Sequence, residues 1–286
     1  ANEVEPLFLA KTAVYTRKQS FMKDMPALLC AILSVKDVKA LARVFSRVID
    51  NGKMLRNFAQ IVRSGAVGRK SFGAAPKRLI NDWFEARSDG EIFKDSVGQS
   101  PSMADIVKMV HPKPATASRA ALYGYFIGRE FDDSALTPIA RQYERFKAGE
   151  TSEVPNVPFQ MLTSLPLGAK DWANIARAAS WQMTRMNLNT FARHGVFNEP
   201  GLAELIADRL RDERAIRKAR VFPYQLLVAY LMAGQGVPER VRGALQDAME
   251  VALDNVPAVD GQVYVFPDVS GSMRPMRSSF NWLNQT

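Results

Sequence analysis

Apolar residues recur along most of this chain at three- and four-residue intervals, the period of helices that bury one face. The clearest case is Val38, Leu41, Ala42, Phe45, Val48 and Ile49, which predict a helix over residues 36–50. Lys36, Lys39, Arg43 and Arg47 share its opposite face. The same spacing predicts an amphipathic helix over 3–18 and a buried one over 25–34, begun by Pro26 near its first turn. Asn51-Gly52 stops the basic-faced helix, and 54–62 forms a further apolar segment. Leu79, Ile80, Trp83 and Phe84 give the next apolar face, with Trp83 expected in the core rather than as a base-stacking platform. A short helix is expected at 91–97. Ser100-Pro-Ser102 then opens one whose buried face is Met103, Ile106, Val107 and Val110. Further helices are predicted at 120–128, 134–148, 171–180, 181–194, 200–211, 215–219, 224–232 and 238–255, with a polar linker at 149–156. About fourteen helices with short Gly and Pro connections, paired roughly every 40 residues, predict a mainly α chain built as a HEAT-like α-solenoid.

One stretch departs from the helical period. Residues 263–266, Val-Tyr-Val-Phe, read as a buried strand. The loop after it presents Asp268, Ser270 and Ser272 at alternate positions around a glycine. Three hard oxygen donors on a tight loop suit Mg²⁺ or another divalent cation. The competing reading is a strand–turn whose serines cap a following helix.

Composition bounds the class. The chain has 286 residues, 47% apolar and 23% charged, enough for a substantial globular core. The apolar runs at 25–33 and 226–233 are under half a membrane span, and the first residues show no basic-then-apolar leader. The one cysteine, Cys30, sits in an apolar run as an expected inert core thiol, so no internal disulfide framework is available. These features predict a protein without a membrane partner, in a reducing compartment, the cytoplasm.

Charge narrows the picture further. Of the formal charge of +9, almost all belongs to residues 36–119, which hold 16 Lys and Arg against 8 Asp and Glu, whereas 120–286 hold 18 of each. Residues 51–81 contain seven cations and no acid. Such a localised excess points to a polyanion. Within it, Ser64 to Arg78 is a loop with three glycines that carries Arg69, Lys70, Lys77 and Arg78, suited to bring backbone N–H groups and cations to phosphate. His111 begins a His-Pro-Lys-Pro run with Lys94, Lys108, Lys113 and Arg119 near it in sequence. Each feature has a plainer reading: a solvated helix face for Lys36 to Arg47, and a helix-end packing residue for His111. Two histidines, His111 and His194, and one cysteine leave little catalytic material. The zinc-protease, nucleotide-loop, hydrolase-elbow and dinucleotide motifs are all missing from the sequence, so no enzyme is expected.

Four segments, in order, resemble the Ro autoantigen (TROVE-module) RNA-binding proteins. They are Asp105-Ile-Val-Lys-Met-Val-His-Pro-Lys-Pro114, Asn187-Leu-Asn-Thr-Phe-Ala-Arg-His-Gly-Val-Phe197, Ile216-Arg-Lys-Ala-Arg-Val-Phe-Pro-Tyr224 and Asp268-Val-Ser-Gly-Ser-Met273. Arg69 through Trp83 resembles that family's basic loop and following helix. The resemblance implies a ring-forming TROVE module of HEAT-like repeats over 1–258, and the first strand and metal loop of a von Willebrand A-like α/β domain over 259–286. It implies binding of Y-like noncoding RNA on an outer basic surface. It also implies entry of the single-stranded 3′ ends of misfolded or structured RNA into a central hole, and an exoribonuclease tethered through the RNA. His111 falls on an RNA-contact position of the family and Lys94 on another, while the arginine expected to partner Lys94 falls near Gly98. The A domain is expected to stop after its first metal loop, lacking its later threonine and aspartate ligands, so any Mg²⁺ should bind weakly. The resulting expectation is an RNA-binding scaffold with no DNA partner. The alternatives are a protein-binding α-solenoid with an acidic protein partner and, third, a metal-dependent adhesion module.

Overall fold

The computed structural model describes residues 4–267. Among them are seventeen α-helices and three single-turn 3₁₀ segments, and no strand. The first eight helices are α1 (Pro6–Lys18), α2 (Asp24–Lys36), α3 (Val38–Val48), α4 (Gly52–Arg63), α5 (Ala74–Glu85), α6 (Asp89–Lys94), α7 (Met103–Val110) and α8 (Ala117–Ile127). They are followed by α9 (Pro138–Lys147), α10 (Phe159–Thr163), α11 (Ala169–Ala178), α12 (Trp181–Met186) and α13 (Leu188–Arg193). The last four are α14 (Leu202–Leu210), α15 (Glu213–Ala219), α16 (Pro223–Met232) and α17 (Glu239–Ala252). The chain divides into two compact units with the boundary after Leu202. The expected linker at 149–156 is an irregular stretch inside the first unit.

Capping chemistry moves several helix ends from where periodicity places them. Asp37 adopts an extended conformation (φ −155°, ψ 97°), and its carboxylate accepts from the backbone N–H groups of Lys39 and Ala40 at 2.9 and 3.0 Å. An aspartate is a strong N-cap, so the helix expected over 36–50 is cut at Asp37 and Lys36 belongs to α2. The buried stripe of α3 is then Leu41, Val44, Phe45 and Val48, while Val38 and Ala42 face outward. Asn187 breaks the helix expected over 181–194 into α12 and α13, with its side-chain amide donating to the Met183 carbonyl at 2.8 Å.

The first unit is built around one continuous apolar cluster that runs from Leu9 to Tyr143. Here α2 packs against α1, α3 and α4, and α7 against α8. Edge-on and stacked rings run through it: Phe45 of α3 on Phe58 of α4, Phe58 on Phe72 of the following loop, and Phe84 of α5 on Tyr123 of α8. Trp83 is 3% exposed and donates its indole N–H to the Ile49 carbonyl at 2.8 Å, with the Arg87 guanidinium 3.8 Å over its ring. It is core, as its place in the apolar stripe predicts. Burying rings of this size contributes about 2–3 kcal/mol each.

Cys30 is wholly buried on α2, and burial pushes its thiol up to about 12. Because the thiolate is the reactive form, the native protein should resist iodoacetamide at pH 8 and become labelled only as it unfolds. Rapid labelling of the folded chain, followed by mass spectrometry, would show Cys30 to be accessible.

The strand expected at 263–266 does not form. Val263, Tyr264, Val265 and Phe266 are 62, 72, 80 and 87% exposed. A strand is stable only when its N–H and C=O groups meet a neighbour's, and no strand among the described residues supplies that ladder. Asp268, Ser270 and Ser272 lie outside the described residues. Among the described residues no three His, Cys, Asp or Glu side chains converge as a metal would need. No described helix is long and apolar enough to cross a membrane.

Candidate nucleic-acid interface

All thirteen expected RNA contacts fall in the first unit, where they divide by what their side chains already hold. On α3, Lys39, Arg43 and Arg47 are exposed at four-residue spacing. They border a groove of about 670 Å³ between α1 and α3, floored by Leu7, Val14, Tyr15 and Val44. Lys36 is not with them: half-buried at the end of α2, it donates to the Val4 carbonyl at 3.0 Å.

The glycine-rich loop between α4 and α5 turns at Gly65, Gly68 and Gly73, all at positive φ. Arg69 holds it closed. Its guanidinium donates to the carbonyls of Ser71, Phe72 and, across the fold, Ser34, at 2.7, 2.5 and 2.8 Å. Gly73 leaves room for it, since a Cβ there would lie 2.5 Å from Arg69 Nη2. Arg69 is therefore a positioning residue of the loop rather than a phosphate ligand. The stem of Lys70 crosses Gly65, where a Cβ would meet it at 3.1 Å, and its ammonium end stays exposed. Helix α5 starts at Gly73 without a side-chain cap, so its first-turn N–H groups are presented at the positive end of a twelve-residue helix. Lys77, half-buried, and Arg78, exposed, follow within that helix. Lys70, Lys77 and Arg78 thus stand beside an uncapped helix start.

A third cluster lies between α7 and α8. His111 terminates α7 in the left-handed conformation (φ 56°, ψ 56°), its N–H donating to the Val107 carbonyl at 2.9 Å. The backbone makes the cap, as the plainer reading holds. The imidazole itself is exposed and has no hydrogen-bond partner among the described residues. It lines a groove of about 410 Å³ with Lys108, Tyr123 and Arg129. Arg129 carries no motif and was not singled out from the sequence; the one signal is its place after Gly128, the left-handed residue that ends α8. Glu130 also lines this groove, and Lys113 is exposed just beyond it in sequence.

Two further expectations resolve differently. Arg119 pairs with Asp89 and donates to the carbonyls of Phe84 and Arg87 at 2.8 and 2.6 Å. It stitches α8 to the α5–α6 turn, and its donors are taken by the protein. Lys94 is half-buried at the end of α6. At Gly98, where the resemblance put a partnering arginine, the space is filled by Arg56 from α4. A Cβ at Gly98 would lie 2.6 Å from Arg56 Nε, and Arg56 Nη1 donates to the Asp95 carbonyl at 2.7 Å. Burial pulls the Arg56 guanidinium below its ordinary value and pushes the neighbouring Asp95 carboxyl above its own.

Comparison with known proteins follows the same line. No protein-family model matches the chain. It is 25% identical over 298 residues to the RNA-binding protein RO60 of Deinococcus radiodurans, which covers 93% of this chain and 55% of that one. Its fold matches the crystal structure of the Deinococcus radiodurans RO (RSR) protein with a TM-score of 0.68, at 20% identity, over 87% of this chain and 56% of that chain. The chain therefore spans about half the length of the curated relative it matches. The similarity runs along most of the chain in both comparisons, and the shared architecture is mainly helical.

Proposed function

We propose that the chain is a Ro-type RNA-binding scaffold without chemistry of its own. The observation that carries this is the α7–α8 groove, where His111, an exposed imidazole with no hydrogen-bond partner among the described residues, lines the groove with Lys108 and Arg129. Cations fix phosphates, and a flat ring with two nitrogens reads an unpaired base or a 2′-hydroxyl. Lys70, Lys77 and Arg78 at the start of α5 add a second phosphate site. Together they would hold a structured Y-like noncoding RNA on a basic outer face of a HEAT-like ring. The single-stranded 3′ end of a misfolded or structured RNA would enter the ring's hole, and an exoribonuclease would join through the RNA. This reading places the protein in the cytoplasm and gives DNA no role. With one carboxylate among Asp268, Ser270 and Ser272, that loop is proposed to hold Mg²⁺ only weakly.

The test is a titration with a stem-loop RNA at several salt concentrations. Binding should weaken steeply as salt rises, and no binding at low salt from a folded sample would overturn the proposal. His111→Ser should weaken stem-loop binding about five- to tenfold, the loss of one stacking or polar contact, with the melting temperature unchanged. A large fall in melting temperature would make His111 a structural cap instead.

A second reading draws on the α1–α3 groove. An apolar floor under a rim of Lys11, Lys39, Arg43 and Arg47 suits an acidic amphipathic helix of a protein partner better than a phosphate backbone. An acidic helical peptide whose binding falls on Arg43→Glu, with no stem-loop binding by the same sample, would favour it.

A further inference from the structure

A cavity of about 830 Å³ lies in the first unit but away in sequence from every cation discussed above. It is walled by residues 154–160, by Trp172 and Ile175 of α11, and by α12 and α13 with His194. The His194 imidazole lies flat on the Trp172 indole, ring centroids 4.2 Å apart and planes 11° from parallel. Trp172 is 3% exposed and fixed edge-on to Phe159 at 6.0 Å, so the imidazole plane is held from below. His194 is half-exposed and lines the cavity, which leaves a backed aromatic platform facing open space.

The rest of the wall has a distinct chemistry. Gln160 and Gln182 are exposed amides, and Gln182 makes only a weak donation to Met186 Sδ at 3.4 Å. Asn187 donates through Nδ2 to Met183, leaving its carbonyl oxygen to accept. Met183 and Met186 supply soft apolar surface, the latter 66% exposed. Arg193 is exposed, and no aspartate or glutamate among the described residues lines the cavity. A stacking face, amide edges and one unopposed cation call for a ligand with a flat ring, a polar edge and an attached anion.

We propose that this cavity takes one unpaired nucleotide of an RNA chain, with the base on the His194–Trp172 stack, its edge on the amides and its phosphate toward Arg193. A peptide fits less well, because the wall offers no carboxylate for an amine or a basic side chain. The volume lies within the ordinary range of small-molecule sites and admits a nucleotide together with its neighbours' sugar–phosphate. The proposal rests on the RNA-binding reading for the source of the ligand, but not on the basic surface that carries that reading.

The experiment uses the whole chain and a single-stranded RNA tetramer with 2-aminopurine at its centre, read by fluorescence, beside the stem-loop titration. The wild type should quench the probe. Arg193→Gln should weaken tetramer binding about tenfold or more, the loss of a charged hydrogen bond. Ala178→Trp, at an exposed position on the cavity wall, should block it as strongly, and both variants should bind the stem-loop as before. A tetramer that fails to bind the wild type, or binds both variants unchanged, overturns the proposal. So does a tetramer lost only on replacing Lys70, Lys77 and Arg78. Adenosine monophosphate binding as tightly as the tetramer would reassign the cavity to a free nucleotide and overturn the RNA assignment. If the tetramer binds through Arg193 while the stem-loop does not bind, the cavity stands and the basic-surface reading falls.

Discussion

Changing Lys70, Lys77 and Arg78 together to glutamine should lower the slope of log binding constant against log salt by about two to three for a stem-loop RNA. Each phosphate neutralised contributes roughly 0.7–0.9 to that slope, so three lost contacts give this range. The affinity near physiological salt should fall by about two orders of magnitude or more on the same grounds. Stability should hold, because none of the three side chains makes a hydrogen bond or ion pair among the described residues. Lys70 and Arg78 are exposed, and a helix start remains whether or not Lys77 follows it. A combined set that also removed Arg69 would confuse the result. Arg69 closes the loop on three carbonyls, so its loss would disturb the loop that presents Lys70. An unchanged slope in the triple variant would place the RNA elsewhere, with the α7–α8 groove as the next surface to probe.

What the sequence made legible, and what it did not, has a consistent physical cause. Helices were readable because a 3.6-residue stripe of Leu, Ile, Val and Phe is the direct signature of a buried face, and Trp83 follows its stripe into the core. Boundaries were less so, because one polar side chain decides them. Asp37 splits the basic-faced helix and removes Lys36 from the face it was grouped with. Residues 263–266 have the composition of a strand, but a strand is a property of a pair, and composition cannot supply the partner. The cation cluster was legible as charge, not as destination. Lysines 39, 70, 108 and 113 are exposed, whereas Arg56, Arg69 and Arg119 turn their guanidinium groups onto backbone carbonyls. A planar fork with five donors satisfies several carbonyls at once, which a lysine ammonium does less well. The Trp172–His194 cavity draws on residues spread from 154 to 194, and no local spacing announces it.

Arg119 is where this difference between arginine and lysine should be largest. Arg119→Ala is expected to destabilise the first unit by about 3 kcal/mol, through loss of charged hydrogen bonds and exposure of unmet partners. Its side chain is 12% exposed and that of Asp89 17%, so solvent screens the pair only in part. Without the guanidinium, Asp89 retains the Ser118 hydroxyl at 2.6 Å, while the carbonyls of Phe84 and Arg87 lose the donor that joins them to α8. For a unit of this size the loss corresponds to a fall in melting temperature of roughly 6–12 °C. Arg119→Lys should recover the charge opposite Asp89 but not both carbonyl contacts, and so sit between the two. Stem-loop binding measured well below the lowered melting temperature should keep its salt slope. A slope reduced by nearly one in Arg119→Ala would instead return Arg119 to the RNA interface.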